Sequence, residues 1–182
     1  MRFISCFNVL NESIHSIPGR LNSYNDILKF LVRYKYLIFM DLSSSYFQIK
    51  VHKKMWKYQG VMTPFRGIKV MTRLGQGLLN SDVKLDQAMA QVLGDEMTAS
   101  FCCITRDNLC IGGDTVDACI SNWEKVLTRL DKNNLKLSPR KVRVLLQDME
   151  PFGHRVKDSK VRPSDHIVAS LGKTSRDELK TV

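Results

Sequence analysis

Five apolar or aromatic residues, Tyr36 to Met40, follow one another without a polar interruption, and a carboxylate, Asp41, comes directly after them. Such a run reads as a buried strand that carries Asp41 to a surface at its end. Three serines, Tyr46 and an alternating Gln48-Ile-Lys50-Val51 stretch come next. Upstream, Ser23-x-x-Asp26 has the form of a capping box, and Ile27, Leu28, Phe30 and Leu31 make the buried face of a short helix ending near Arg33. Downstream, Val83, Ala88, Met89 and Val92 recur at helical spacing, with Ser81 as the expected cap and Gly94 as the expected stop. Two short apolar runs around the polar centre Thr105-Arg106-Asp107-Asn108 predict a hairpin from Ser100 to Gly113. A further helix is expected after Asp114 or Thr115, with a stripe of Val116, Ile120, Trp123, Leu127 and Leu130 and a left-handed stop at Asn133-Asn134. Between His52 and Arg73, lysines, Trp56, Tyr58 and the turn Thr63-Pro-Phe-Arg-Gly67 predict a β-rich insertion, in which Trp56 is assigned to packing.

Composition changes this picture in two ways. Lys and Arg outnumber Asp and Glu by 28 to 18, for a net charge of +10 in 182 residues, which points to a polyanionic partner. Nine basic residues against four acidic ones between Asp131 and Arg162 fit either a nucleic-acid contact or a solvated face. Five cysteines, odd in number and without a C-x-x-C pair, argue against zinc and a disulfide framework and for buried thiols. No apolar run reaches the length of a membrane span and no signal peptide is present, so the expected location is intracellular, in the cytoplasm, without a membrane partner.

An Asp at a strand end is more often a turn former or helix cap than a ligand. The segment Asp41-Leu-Ser-Ser-Ser-Tyr46-Phe-Gln-Ile49, however, resembles the first catalytic motif of the reverse transcriptases of retroviruses and LTR retrotransposons. Further matches follow in the family's order. Leu74-Gly-Gln76-Gly77-Leu-Leu-Asn-Ser81 resembles the loop that closes the fingers insertion and opens a palm helix. The 100–113 hairpin takes the place of the Tyr-x-Asp-Asp hairpin, with Thr105 for the tyrosine, Arg106 in the middle and Asn108 for the second aspartate. Leu135-Lys-Leu-Ser-Pro-Arg-Lys141 resembles the loop whose lysine serves the leaving pyrophosphate, and Phe152-Gly153-His154 resembles the primer grip. Near the start, Arg2 and Leu10-Asn11 match the fingers motif, whereas Cys6 and Asn8 replace its acid and its arginine.

The resemblance implies an α+β fold: a polymerase palm with an antiparallel sheet backed by helices, plus partial fingers, and without thumb or ribonuclease H. It divides the chain into partial fingers (1–35), palm with the first motif (36–51), a fingers insertion (52–78), palm (79–162) and a connector toward a missing thumb (163–182). It implies an RNA-directed DNA polymerase from a retrotransposon Pol polyprotein, acting on an RNA template, a DNA primer and deoxynucleoside triphosphates. Asp41 and Asp107 would hold two Mg²⁺ ions, with degenerate Asn108 beside them and Lys141 near the leaving group. Tyr46, Gln76, Gly77 and Arg2 would contact the nucleotide, and Phe152, Gly153 and His154 the primer. Losing one carboxylate and gaining Arg106 weakens attraction for a divalent ion, so impaired or absent polymerisation is expected. The competing readings are a nucleic-acid-binding module without chemistry and a decayed open reading frame without function.

Overall fold

The computed structural model describes residues 6–19, 24–105, 108–146, 148–149, 154–157 and 160–164. Its centre is an antiparallel sheet made of β1 (Tyr36–Asp41), β4 (Cys102–Thr105), β5 (Asn108–Gly113) and β6 (Arg143–Leu146), in the order β4-β5-β1-β6. Between β1 and β4 come α3 (Ser45–Gln48), a 3₁₀ turn (Lys53–Tyr58), the hairpin β2 (Gly60–Thr63) and β3 (Gly67–Val70), and α4 (Ser81–Thr98). Among the described residues, α1 (Asn8–Glu12) and α2 (Tyr24–Arg33) precede β1; α5 (Val116–Lys132) and a 3₁₀ turn (Pro139–Lys141) connect β5 to β6. A separate three-stranded sheet follows, β7 (Asp148–Met149), β8 (His154–Lys157) and β9 (Lys160–Pro163).

The uninterrupted apolar run of β1 has a direct cause, because the strand is covered on both faces. Ile38 and Met40 point toward α4 and α5, where they meet Leu85, Met89, Leu93, Cys119, Val126 and Leu130. Leu37 points the other way, with Cys110 of β5, toward Ile27 and Leu31 of α2. Each such buried aliphatic contributes about 1.5–3 kcal/mol, so this sandwich is the fold's main source of stability. Arg129 ties α5 to α4 through Asp95 (2.7 Å) and Glu96 (3.1 Å).

Several expectations need correction. Ser81 is not a side-chain cap: Asn80 precedes the helix in a left-handed conformation, and the Ser81 hydroxyl donates to the Gly75 carbonyl at 2.8 Å. Gly94 does not stop α4, which kinks at Leu93 and runs on to Thr98 because Leu93 and Met97 still have core to cover. The Gln48–Val51 stretch is not a strand; α3 occupies Ser45–Gln48, where the Gln48 side chain bonds backbone across the cleft. On α5 the buried stripe is Cys119, Val126 and Leu130, while Val116 is exposed. Cys6 is an exposed thiol, Cys103 is partly covered, and only Cys102, Cys110 and Cys119 are buried. Thr115 caps α5 by accepting from the Ala118 N–H, and Asn134 takes the left-handed stop at φ 55°. Trp56 is half-buried, its indole N–H donating to the Val51 carbonyl at 3.2 Å. Ser23 lies outside the described residues. Among the described residues no helix is long and apolar enough to cross a membrane.

Candidate active site

β1 ends where its apolar run ends, and Asp41 emerges there at the floor of a cleft with a side chain 14% exposed. Antiparallel pairing with β5 sets Asn108 opposite Asp41 in register, the closest approach two strands offer for side chains on one face. Asp107 precedes Asn108 in sequence and, with Arg106, lies outside the described residues. The third group comes from 100 residues away: the Lys141 ammonium donates to Asp41 Oδ2 at 2.9 Å. The 3₁₀ turn that carries Lys141 is anchored beside the strand end, since the Ser138 N–H donates to the Asp41 carbonyl at 2.8 Å.

The cleft measures about 280 Å³ and is lined by Asp41, the three serines, Tyr46, Gln76, Ser138 and Lys141 among others. Ser44, at φ 49°, turns the chain from β1 into α3. Tyr46 sits in that helix and its hydroxyl donates to the Asp82 carboxylate at the start of α4. Gln76 also lines the cleft. Its loop is held by Asn11, whose amide donates to the Gly77 carbonyl (3.0 Å) and whose side-chain oxygen accepts from the Leu79 N–H (2.8 Å). Gly77 has φ 90°, a conformation that L side chains rarely adopt.

The structure therefore brings together Asp41, Asn108, Lys141, Tyr46 and Gln76, and sets Gly77 in the loop beside Gln76. His154 opens β8, paired with Pro163 in the separate sheet. Arg2, Phe152 and Gly153 lie outside the described residues. Sequence reasoning missed three positioning residues: Asn11, Asp82 and Gln48. The Gln48 amide donates to the carbonyls of Ser43 (2.5 Å) and Lys136 (2.8 Å) and accepts from the Lys136 N–H (2.6 Å), stapling the Asp41 loop to the Lys141 loop. A polar residue in an otherwise apolar quartet, Tyr46-Phe-Gln48-Ile, was the available signal. The donor set is oxygen-rich and suits a hard cation such as Mg²⁺. Among the described residues, though, no three His, Cys, Asp or Glu side chains converge.

A four-stranded antiparallel sheet covered by helices on both faces, with an acidic strand end under a loop-walled cleft, defines a polymerase palm with part of its fingers. The family model for reverse transcriptase (RNA-dependent DNA polymerase) matches residues 3–174, and the chain belongs to that family. It is 26% identical over 165 residues to the retrovirus-related Pol polyprotein from transposon 412 of Drosophila melanogaster, covering 90% of the chain and 13% of that protein. It is 24% identical over 155 residues to the Gag-Pol polyprotein of feline leukemia virus, covering 81% of the chain and 9% of the relative. The chain thus spans about a tenth of the length of the curated relatives it matches. Among solved structures, a foamy viral protease-reverse transcriptase in complex with double-stranded DNA aligns with a TM-score of 0.84 at 21% identity, over 99% of this chain and 32% of that one. A foamy viral protease-reverse transcriptase in complex with RNA/DNA hybrid aligns with a TM-score of 0.76 at 20% identity, over 96% of this chain and 24% of that one.

Proposed function

We propose that this chain is the fingers and palm portion of an RNA-directed DNA polymerase whose nucleotidyl-transfer centre is weakened. In this reading the fingers are residues 1–35 and 52–78 and the palm 36–51 and 79–162. One observation carries it: the residue paired with Asp41 across the sheet is the neutral Asn108, and the Asp41 carboxylate is engaged by Lys141 at 2.9 Å.

Asp41 and Asp107 would hold two Mg²⁺ ions, which when bound lower the pKa of the primer hydroxyl and neutralise triphosphate charge. The remaining roles belong to the chain itself. Tyr46, fixed by Asp82, presents its ring to the nucleotide sugar. Gln76 offers an amide donor and acceptor to the cleft, with Gly77 next to it in the loop. Lys141 donates to the leaving pyrophosphate, which competes with Asp41 for its ammonium. Arg2 would meet the triphosphate, and Phe152, Gly153 and His154 the primer. Asn108 supplies a neutral oxygen where a second acid would supply charge, so the site's field for divalent cations is reduced.

A primer-extension assay with an RNA template, a DNA primer and Mg²⁺ or Mn²⁺ tests the reading. The chain is expected to incorporate nucleotides at or near background, with Asn108→Asp combined with Arg106→Ala raising incorporation. Robust synthesis by the unaltered chain overturns it. The Lys141–Asp41 ion pair also favours a second reading, a palm that binds primer and template without chemistry. Binding of RNA–DNA duplex in chelator, with a steep salt dependence and no extension by the double variant, is its signature.

A further inference from the structure

The chain's thiols are gathered in one place. Of the five cysteines, Cys102, Cys103, Cys110 and Cys119 lie on β4, β5 and the start of α5, and all four are thiols. The nucleotidyl-transfer reading uses none of them. Register sets two of them apart. Cys103 of β4 stands directly opposite Cys110 of β5. Both side chains turn to the α2 face of the sheet, where Cys103 packs against the cluster of Ile27, Leu31, Leu37 and Cys110. Cys102 and Cys119 belong to the other face, with α4 and α5. Residues directly opposite on antiparallel strands have Cα atoms about 4.5–5.5 Å apart, within the roughly 4.4–6.8 Å that a disulfide spans.

The pair is also approachable, through one of its members. Cys103 is partly covered and lines a cavity of about 310 Å³ with Asp26, Lys29, Phe30, Arg33 and Met97. That volume lies at the lower end of the small-molecule range, roughly 300–1,000 Å³. Cys110 is buried, so a reagent entering from solvent meets Cys103 first.

We propose that Cys103 and Cys110 form an exchange-active dithiol, which a low-molecular-weight disulfide of the glutathione class oxidises to a cross-strand disulfide. First the Cys103 thiolate attacks one sulfur of the small disulfide; a mixed disulfide forms, the small S–S bond breaks, and the departing thiolate takes up a proton. Then the Cys110 sulfur, its proton released, attacks the Cys103 sulfur; the protein S–S bond forms and the second small thiolate leaves and is protonated. Two protein thiols are oxidised and one small disulfide is reduced to two thiols, so a reducing thiol pool reverses the change. Burial, with Asp26, pushes Cys103 up to about 11, and burial holds Cys110 well above its ordinary value. The exchange is therefore slow at neutral pH and quickens as the thiolate fraction grows. Once closed, the bridge clamps β4 to β5 two residues from Asn108, the residue paired with Asp41. This inference does not rest on chemistry at Asp41.

The whole chain carrying Cys6→Ser, which removes the exposed thiol, is incubated with oxidised glutathione at about pH 9. After an acid quench its bridges are mapped by mass spectrometry of peptides. The expected product is a chain lighter by two hydrogen atoms with Cys103 joined to Cys110, restored by dithiothreitol. Its rate of formation should rise about tenfold per pH unit between about pH 7 and 9. Cys110→Ala should stop at a glutathionylated Cys103, and Cys103→Ala should leave Cys110 unreacted, with thermal melts establishing that each variant folds. A bridge between any other two cysteines, a mixed disulfide that never resolves in the Cys6→Ser chain, or no reaction at about pH 9 overturns the proposal. Where a core variant fails to fold, the bridge mapped in the Cys6→Ser chain decides alone.

Discussion

The central sheet, whose first strand ends at Asp41, and the β2–β3 ribbon that follows that strand in sequence are opposite solutions to one problem. In the β4-β5-β1-β6 sheet the central strands β5 and β1 are paired on both edges and bury side chains on both faces. In the β2–β3 ribbon the hydrogen bonds are equally regular, yet almost nothing packs on it. Stability follows packing rather than pairing, since a lone hairpin is marginal in water. The central sheet can therefore hold polar groups at its end in fixed register, and the ribbon can spend its side chains on contact with a partner.

The largest test of that contrast compares two aliphatic truncations. Leu109 on β5 is fully buried between sheet and helices, so Leu109→Ala should cost about 3–5 kcal/mol through lost transfer energy and a cavity. Ile68→Ala on the ribbon should stay within about 0.5 kcal/mol, as a surface change does. Urea denaturation of both variants checks this. A cost at Ile68 above 2 kcal/mol would mean that the ribbon is packed in solution and the contrast is wrong.

A pair of glycines sharpens the same point. A Cβ on Gly113 would lie 2.4 Å from the Cys119 backbone nitrogen, and no rotamer can relieve a clash with the first turn of α5. Gly113→Ala should therefore cost about 3 kcal/mol, at the upper end of ordinary overpacking. Gly67, at the ribbon's turn, has open space around it and only a left-handed backbone (φ 63°) to oppose a side chain. Gly67→Ala should cost about 1 kcal/mol. Melting temperatures would separate the two by several degrees.

The same division decides what could be read from the chain in advance. β1, the 100–113 hairpin and the two long helices were visible because burial on one or two faces imprints itself on residue type. The order of the matching motifs set the tip of that hairpin beside Asp41, with Asp107 as the expected partner; Asp107 lies outside the described residues, and its neighbour Asn108 is the residue paired with Asp41. Illegible were contacts whose partners lie far apart along the chain and are polar. Nothing in Lys136 or Asn11 announces that its partner is Gln48 or the Gly77 loop, because a side-chain amide bonding to backbone leaves no periodicity. Gly94 misled for a related reason: it has helix-breaking propensity, but buried Leu93 and partly buried Met97 on either side hold the helix together past it. Propensity of about 1 kcal/mol loses to that packing.

A pH profile distinguishes the two regions next. All the shifted thiols belong to the central sheet and its helix, and none to the ribbon. Burial pushes Cys102 up to about 12 from 9.0, with Cys103 and Glu96 adding to it, and burial with Asp26 pushes Cys103 up to about 11. These thiols stay protonated in the folded chain at pH values where the unfolded chain has released the proton. Their contribution is complete below pH 9 and is lost as pH rises toward the folded values, because the unfolded state then binds fewer protons. The melting temperature should fall by several degrees between pH 9 and 11, and Cys102→Ala should flatten that fall. An unchanged slope in Cys102→Ala would remove the sheet as its source.

The smallest effect expected is at the junction of the two regions. Gln59, at the end of the Lys53–Tyr58 turn, is fully buried, and among the described residues neither polar atom of its amide finds a hydrogen-bond partner. Its backbone is well placed, donating to the Trp56 carbonyl at 3.0 Å and accepting from the Met71 N–H at 3.0 Å, so the ribbon is pinned here by main chain. The side chain contributes only a desolvation cost, typically about 1–3 kcal/mol for an unpaired buried group. Gln59→Met keeps the volume and unbranched shape while removing both polar atoms, and should raise stability by about 1 kcal/mol, roughly 2–4 °C in Tm for a chain of this size. Hydrogen exchange adds the discriminating readout. If the amide is only a burden, the ribbon's backbone protection is unchanged or rises in the variant. If Gln59→Met instead lowers both Tm and ribbon protection, the side chain is part of what attaches the ribbon to the palm, and the ribbon is less independent of the packed sheet than its exposed surface implies.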